Sequence, residues 1–190
     1  MLLLVGLGNP GSNYTNTRHN IGFKIIDAIN THFKLSKQKP KFKGLLTTGN
    51  IDEKKIYAIK PLTFMNNSGT AIKELIDYFK IDAKDVFVFH DDMDIDFGKI
   101  KAKFGGGSAG HNGIESIDKF IGKDYSRVRI GIGHPKQKRK VNNHVLEDFK
   151  EDEEEKINEI TGNIVKQLST LIDKKIDLFS SKVNQDLNGI

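Results

Sequence analysis

His19 ends the polar stretch Tyr14-Thr15-Asn16-Thr17-Arg18-His19 and stands where an apolar helical pattern takes over. The positive end of a helix dipole disfavours an imidazolium, and a neutral imidazole is what a general base has to be. A partner is available in Asp91, just beyond the short apolar run of residues 86–89. Ligand sites of open α/β sheets gather at the carboxyl ends of strands. A carboxylate there can hold one imidazole nitrogen and leave the other to take a proton from water. Asn9, Asn66 and Asn112 stand at similar element edges. An uncharged amide can orient a substrate or stabilise an oxyanion, although Asn is equally an ordinary turn residue. Of the remaining histidines, His32 and His144 read as surface or packing residues.

Three other motifs suggest different chemistry. Gly6-Leu7-Gly8-Asn9-Pro10-Gly11 fits the dinucleotide fingerprint. That fingerprint should open a helix directly and lead to an acidic residue at the end of a second strand; here Pro10 and Gly11 start a loop, and the next acid, Asp27, falls inside a helical pattern. Asp92, Asp94 and Asp96 begin like a calcium loop, but Phe97 replaces the required glycine and Lys103 the closing glutamate. Gly106-Gly107-Ser108-Ala109-Gly110 fits G-x-S-x-G between an expected strand and an expected helix, and Asp118 or Asp124 with His134 would complete a triad in order. The same glycines also suit a loop that lets a ligand or another segment approach the backbone closely.

The elements that must position these groups follow from periodicity. Strands are expected at residues 2–7, 45–48, 55–60, 86–89, 99–104 and 127–133. Residues 50–54 read as a turn. Ile21, Ile25, Ile26, Ile29 and Phe33 share one helical face; Ile72, Leu75, Ile76 and Phe79 mark a second helix, with Ser68 as its cap. Ile114, Ile117 and Ile121 mark a short third helix. Residues 151–173 read as one long amphipathic helix with Ile157, Ile160, Ile164, Leu168 and Leu171 inward, and residues 180–190 as a frayed tail. Strands alternating with helices over 190 residues predict a single α/β domain spanning residues 1–190, a twisted mixed sheet flanked by helices.

Composition narrows the classes. The chain has no cysteine, which removes disulfides, thiolate zinc sites and cysteine nucleophiles and fits a reducing compartment. No apolar run approaches a membrane span, and MLLLVGLGNPG reads as a first strand, not a signal peptide. Net charge is +5, only a weak lean toward an anionic partner. Its distribution is uneven: Lys37, Lys39, Lys41 and Lys43 cluster, as do Lys136, Lys138, Arg139 and Lys140, while residues 151–155 are an acidic run. A solvated lysine-rich surface explains these clusters as well as a binding face does.

VGLGNPGSNYTNTRHNIGF (residues 5–23), KPLTFMNNSG (60–69), HDDMDIDFGKIKAKFGGGSAGHNG (90–113) and RVRIGIGHP (127–135) together closely resemble the bacterial-type peptidyl-tRNA hydrolases. The segments are long, in family order and cover most of the first 145 residues. The resemblance displaces the nucleotide and serine readings. It implies that His19 is the catalytic base and Asp91 its orienting carboxylate. Asn9, Asn66 and Asn112 would hold substrate and water, with Tyr14, Met65 and His111 lining the same cleft. Lys103 and Arg129 would be the basic pair that grips a tRNA phosphate. One departure is Glu115, where the family often carries a basic residue. The resemblance further implies a cytoplasmic, monomeric esterase that acts on peptidyl-tRNA without metal, cofactor or covalent enzyme intermediate. A basic RNA-binding module without catalysis would explain the lysines, but not why His19 and Asp91 both fall in matching motifs.

Overall fold

A computed structural model describes residues 1–135 and 141–187 of the chain. The second basic cluster, Lys136 to Lys140, and residues 188–190 lie outside the described residues.

Among the described residues seven strands form one mixed sheet in the order β2-β3-β4-β1-β5-β7-β6. They are β1 (Leu2–Gly6), β2 (Lys39–Lys41), β3 (Gly44–Ile51), β4 (Lys54–Pro61), β5 (Val86–Asp92), β6 (Ile100–Phe104) and β7 (Ser126–Gly131). The four inner strands, β4, β1, β5 and β7, run parallel, and antiparallel strands complete both edges. Parallel strands are covered on both faces, so they read as continuous apolar runs. Accordingly β1 and β5 are buried at every position.

Among the described residues seven α-helices accompany the sheet: α1 (Ile21–His32), α2 (Ser68–Phe79), α3 (Asn112–Ile121), α4 (Val141–His144), α5 (Glu151–Lys166), α6 (Leu168–Ile172) and α7 (Ile176–Leu187). Alternate strand residues point to opposite faces. Leu4, Phe87, Phe89 and Val128 join α1, α5, α6 and α7 in one core, through Ile25, Ile160, Leu168 and Phe179. Leu3, Val5 and Val88 join α2 and α3 in the other, through Ile72, Leu75, Ile114 and Ile117.

Gly6 and Gly22 set how closely α1 crosses β1. A Cβ on Gly6 would lie 2.2 Å from the carbonyl oxygen of Gly22, and one on Gly22 would lie 2.3 Å from the amide nitrogen of Leu7. The first glycine of the apparent dinucleotide fingerprint therefore serves helix–strand contact, and the chain after it enters a 3-10 turn at Ser12–Tyr14 instead of a helix.

Three expectations need correction, and one element is unexpected. Ser68 does not cap α2 but is its first residue, and its hydroxyl donates to the Met65 carbonyl oxygen at 2.9 Å, closing the preceding turn. The helix expected over residues 151–173 breaks at Gln167 into α5 and α6. The apolar positions stay in helical register across that break, so periodicity alone does not show it. Residues 180–187 are not frayed, because they belong to α7, whose Phe179 and Val183 are fully buried. The first lysine cluster contributes β2, a short, fully exposed edge strand.

Helix α7 lies against the edge strand β6. Asn184 accepts from the Ile100 amide at 3.0 Å and donates to its carbonyl oxygen at 2.9 Å, while Ser180 accepts from the Ala102 amide at 2.8 Å. These side chains bond β6 where an eighth strand would.

Candidate active site

At the carboxyl ends of β1 and β5 opens a cleft of about 340 Å³. Its lining includes Asn9, His19, Met65, Asn66, Asp91, His111 and Asn112, so seven of the ten expected site residues share one cavity.

His19 sits in a 3-10 turn, Arg18–Asn20, that runs directly into α1. Asp91 lies near the end of β5 and is almost fully buried. Nδ1 of His19 lies 2.8 Å from Oδ1 and 3.0 Å from Oδ2 of Asp91. A carboxylate only accepts, so Nδ1 donates, and in the neutral ring Nε2 is the nitrogen with the free lone pair. No protein group among the described residues bonds Nε2. Burial opposes ionisation of Asp91, but the electrostatic pull of His19 and His111 and their hydrogen bonds outweighs it and holds the carboxyl well below the usual carboxylate range.

His111 is the N-cap residue of α3. Its Nδ1 accepts from the amides of Gly113 at 3.1 Å and Ile114 at 3.3 Å, so this nitrogen carries no proton. The proton is therefore on Nε2, which donates to Asp91 Oδ1 at 3.0 Å. One imidazole thus ties the helix that begins with Asn112 to the carboxylate that orients His19. His19, Asp91 and His111 are also the one group among the described residues whose ligand atoms lie close enough, within 4.8 Å, to hold a metal. Coordination through Nε2 of a neutral His111 would move its proton to Nδ1, against the two amide hydrogens that it now accepts. The donor set is committed to hydrogen bonds and fits a metal poorly.

The asparagines divide into one fixed and two open. Asn9 accepts at Oδ1 from the Met65 amide at 2.8 Å, which leaves its Nδ2 hydrogens for a ligand. Its backbone is locked by Asn20, whose Oδ1 accepts from the Asn9 amide and whose Nδ2 donates to the Asn9 carbonyl, both at 2.9 Å. Sequence reasoning missed Asn20, although it is part of the same quoted motif. Asn66 and Asn112 are exposed at the cleft edge. Tyr14 is not among the lining residues; it packs edge-on against Phe64, which is, with ring centroids 6.5 Å apart.

Lys103 and Arg129 also lie outside the cleft, on β6 and β7. The register places Lys101 opposite Arg129 and Lys103 opposite Arg127. Partial burial, followed by the like charges of Arg129, Arg127 and Lys101, lowers the pKa of Lys103. Arg129 donates from Nε to Asp92 at 2.7 Å. Arg127, two residues before Arg129 on the same strand, is buried and committed: it donates to Asp118 at 2.6 Å and to the Gly107 carbonyl at 2.7 Å.

That pairing also dismantles the serine triad. Asp118 is taken by Arg127 and Tyr125, His134 bonds Asp94 at 3.0 Å, and the Ser108 hydroxyl donates to Glu115 at 3.2 Å. His90, given no role by the sequence, is buried beside the site. Its Nδ1 donates to the Asp91 carbonyl at 2.8 Å, and burial, then His111, pushes its pKa well below the ordinary value.

Comparison with known proteins bears on the family of the chain. A family model described as peptidyl-tRNA hydrolase matches residues 3–189. A peptidyl-tRNA hydrolase of Pelagibacter ubique is 72% identical over 184 residues, covering 97% of this chain and 99% of that one. One from Ehrlichia ruminantium is 47% identical over 181 residues, covering 95% and 93%. The crystal structure of the Acinetobacter baumannii peptidyl-tRNA hydrolase superposes with a TM-score of 0.90 at 34% identity, covering 97% of this chain and 94% of that one. Sequence similarity along nearly the whole length and similarity of the folded backbone coincide, and the chain belongs to the peptidyl-tRNA hydrolase family.

Proposed function

We propose that this chain hydrolyses the ester between a peptide and the terminal ribose of tRNA, with His19 as general base and Asp91 as its orienting group. The observation that carries this reading is the His19–Asp91 hydrogen bond on the cleft wall, with Nε2 left unbonded. Water gives a proton to Nε2 as its oxygen attacks the acyl carbon. Asp91 stabilises the imidazolium that forms. Nδ2 hydrogens of Asn9, Asn66 or Asn112 stabilise the tetrahedral oxyanion. Collapse breaks the bond to the ribose oxygen, the imidazolium returns the proton to that oxygen, and free peptide and tRNA leave. No bond to the enzyme forms, and no metal or cofactor takes part.

A preference for peptidyl over free aminoacyl substrate follows from asparagines that bind the peptide's backbone amide, since a free α-amine would lose that hydrogen bond and bring a positive charge. Lys103 and Arg129, with Lys101 across the ladder, offer a cationic patch for a phosphate of the tRNA. No helix among the described residues is long and apolar enough to cross a membrane, and a cytoplasmic monomer is the setting we propose. The test is release of tRNA from an N-blocked aminoacyl-tRNA by purified protein in the presence of chelator. His19→Asn should lose roughly 10²–10⁴-fold in turnover while retaining tRNA affinity. Turnover within a factor of about ten of wild type would exclude His19 as the base.

A further inference from the structure

We propose that Arg18 is a positioning residue: its guanidinium latches the cleft wall at Val145 and Leu146 onto the turn that carries His19. Val145 and Leu146, which precede α5 in the chain, line the cleft. Residues 145–149 run back along residues 16–19. The His19 amide donates to the Val145 carbonyl at 2.8 Å, the Arg18 amide to the Glu147 carbonyl at 3.0 Å, and the Phe149 amide to the Asn16 carbonyl at 3.3 Å. Thr17 and Asp148 form a β-bridge. The backbone of the candidate base is therefore paired with the residue whose side chain forms the wall.

Arg18 stands at the centre of this pairing and is only 3% exposed. Nη1 donates to the carbonyls of Asp148 at 3.0 Å and Glu147 at 3.2 Å and approaches that of His144 at 3.5 Å. Nη2 donates to Glu153 Oε2 at 2.8 Å, and the guanidinium lies over the Phe149 ring. Glu153 in turn accepts from the Lys150 amide at 2.8 Å, closing the first turn of α5. The returning chain is wound around one cation, which joins the catalytic turn, the cleft wall and the first turn of α5. A buried charge costs much to desolvate unless it is hydrogen-bonded; here both Nη nitrogens are bonded and Nε is not, and a planar fork meets several acceptors at once where an ammonium is a point charge. Arg18→Lys keeps the charge but lacks the geometry to hold this set.

The inference rests on His19 being the base, and its test separates the two. Arg18→Lys and the milder Glu153→Gln are compared with wild type by steady-state kinetics on N-blocked aminoacyl-tRNA and by amide hydrogen exchange. In Arg18→Lys, kcat should fall about tenfold or more, because sub-ångström misplacement of a catalytic group is costly. Exchange at the amides of Arg18, His19 and Phe149 should quicken about tenfold while β1 and β5 keep their protection. Glu153→Gln should move both readouts in the same direction by a smaller factor. The exchange readout holds whether or not His19→Asn abolishes turnover, so failure of the base assignment and failure of the latch are distinguishable. Wild-type kcat in Arg18→Lys, unchanged exchange at His19 and Phe149, or equal quickening throughout β1 and β5 would overturn the proposal.

Discussion

His111 donates from Nε2 to Oδ1 of Asp91 at 3.0 Å, and this is the oxygen that His19 approaches at 2.8 Å. The carboxylate is thus braced from two sides, and the second brace is anchored in the N-terminus of α3. His111→Asn should separate the two duties. Asparagine is a good N-cap, so the fold should lose less than about 1 kcal/mol, but its amide is too short to reach Asp91. Turnover should fall about tenfold through a less constrained Asp91, read as kcat at saturating substrate. Unchanged kcat with a large loss of thermal stability would reduce His111 to a capping residue.

Protonation of His90 predicts a dependence of stability on pH. Its folded pKa lies well below the ordinary 6.5, so the neutral ring is the form that the fold favours. That contribution is fully present above about pH 6.5 and is lost as pH falls below it, because the unfolded chain then binds a proton that the native state does not. Asp91, whose folded pKa is also depressed, adds a loss at lower pH, below the ordinary carboxylate range. His90→Phe removes the first contribution and the hydrogen bond to the Asp91 carbonyl. Urea midpoints measured at intervals between pH 7 and 5 should fall more gently in the variant. Parallel curves would mean that His90 does not titrate in this window.

Alanine at both Lys103 and Arg129 should raise KM on full-length tRNA substrate and leave a short peptide ester on a minimal nucleotide nearly unaffected. Each phosphate contact removed should lower the log–log salt slope by somewhat under about one unit. Arg129 holds Asp92 through Nε at 2.7 Å, so its substitution also frees a carboxylate at the cleft wall; Lys103→Ala alone isolates the phosphate effect. Equal loss on both substrates would place the pair in the active site or the fold.

Ser108 lines the cleft with its hydroxyl turned to Glu115. Ser108→Ala should retain at least about half of the wild-type turnover, and a fluorophosphonate should leave the protein unlabelled. Covalent labelling at Ser108 together with an inactive variant would restore a serine nucleophile.

The parts legible in the sequence are those written in local pattern. β1 and β5 announce themselves as apolar runs because both faces are covered, and His19, Asp91 and Asn9 stand at element edges where chemistry collects. β2 carries Lys-Pro-Lys and has no apolar face to betray it. α7 shows one fully buried pair, Phe179 and Val183, and its polar Ser180 and Asn184 find their partners in backbone groups of β6. Arg18 reads as one more cation, since its acceptors lie 126 to 135 residues away. Asn20 and His90 escape although their partners are near in sequence, Asn9 eleven residues before and Asp91 the next residue. Their roles are contacts made by the folded chain, and no spacing encodes them.

The two margins of the sheet face solvent on different terms. β2 carries a proline between two lysines, residues that discourage a further strand from adding there. β6 has the opposite character: its free amides at Ile100 and Ala102 would welcome another strand, and Asn184 and Ser180 occupy them instead. The protection of β6 therefore belongs to a segment made about eighty residues later in the chain. During synthesis the sheet can be otherwise assembled while this margin is still open, and a chain cut short before residue 176 would carry a permanent template for intermolecular pairing. α7 thus occupies the backbone groups through which a further strand would add.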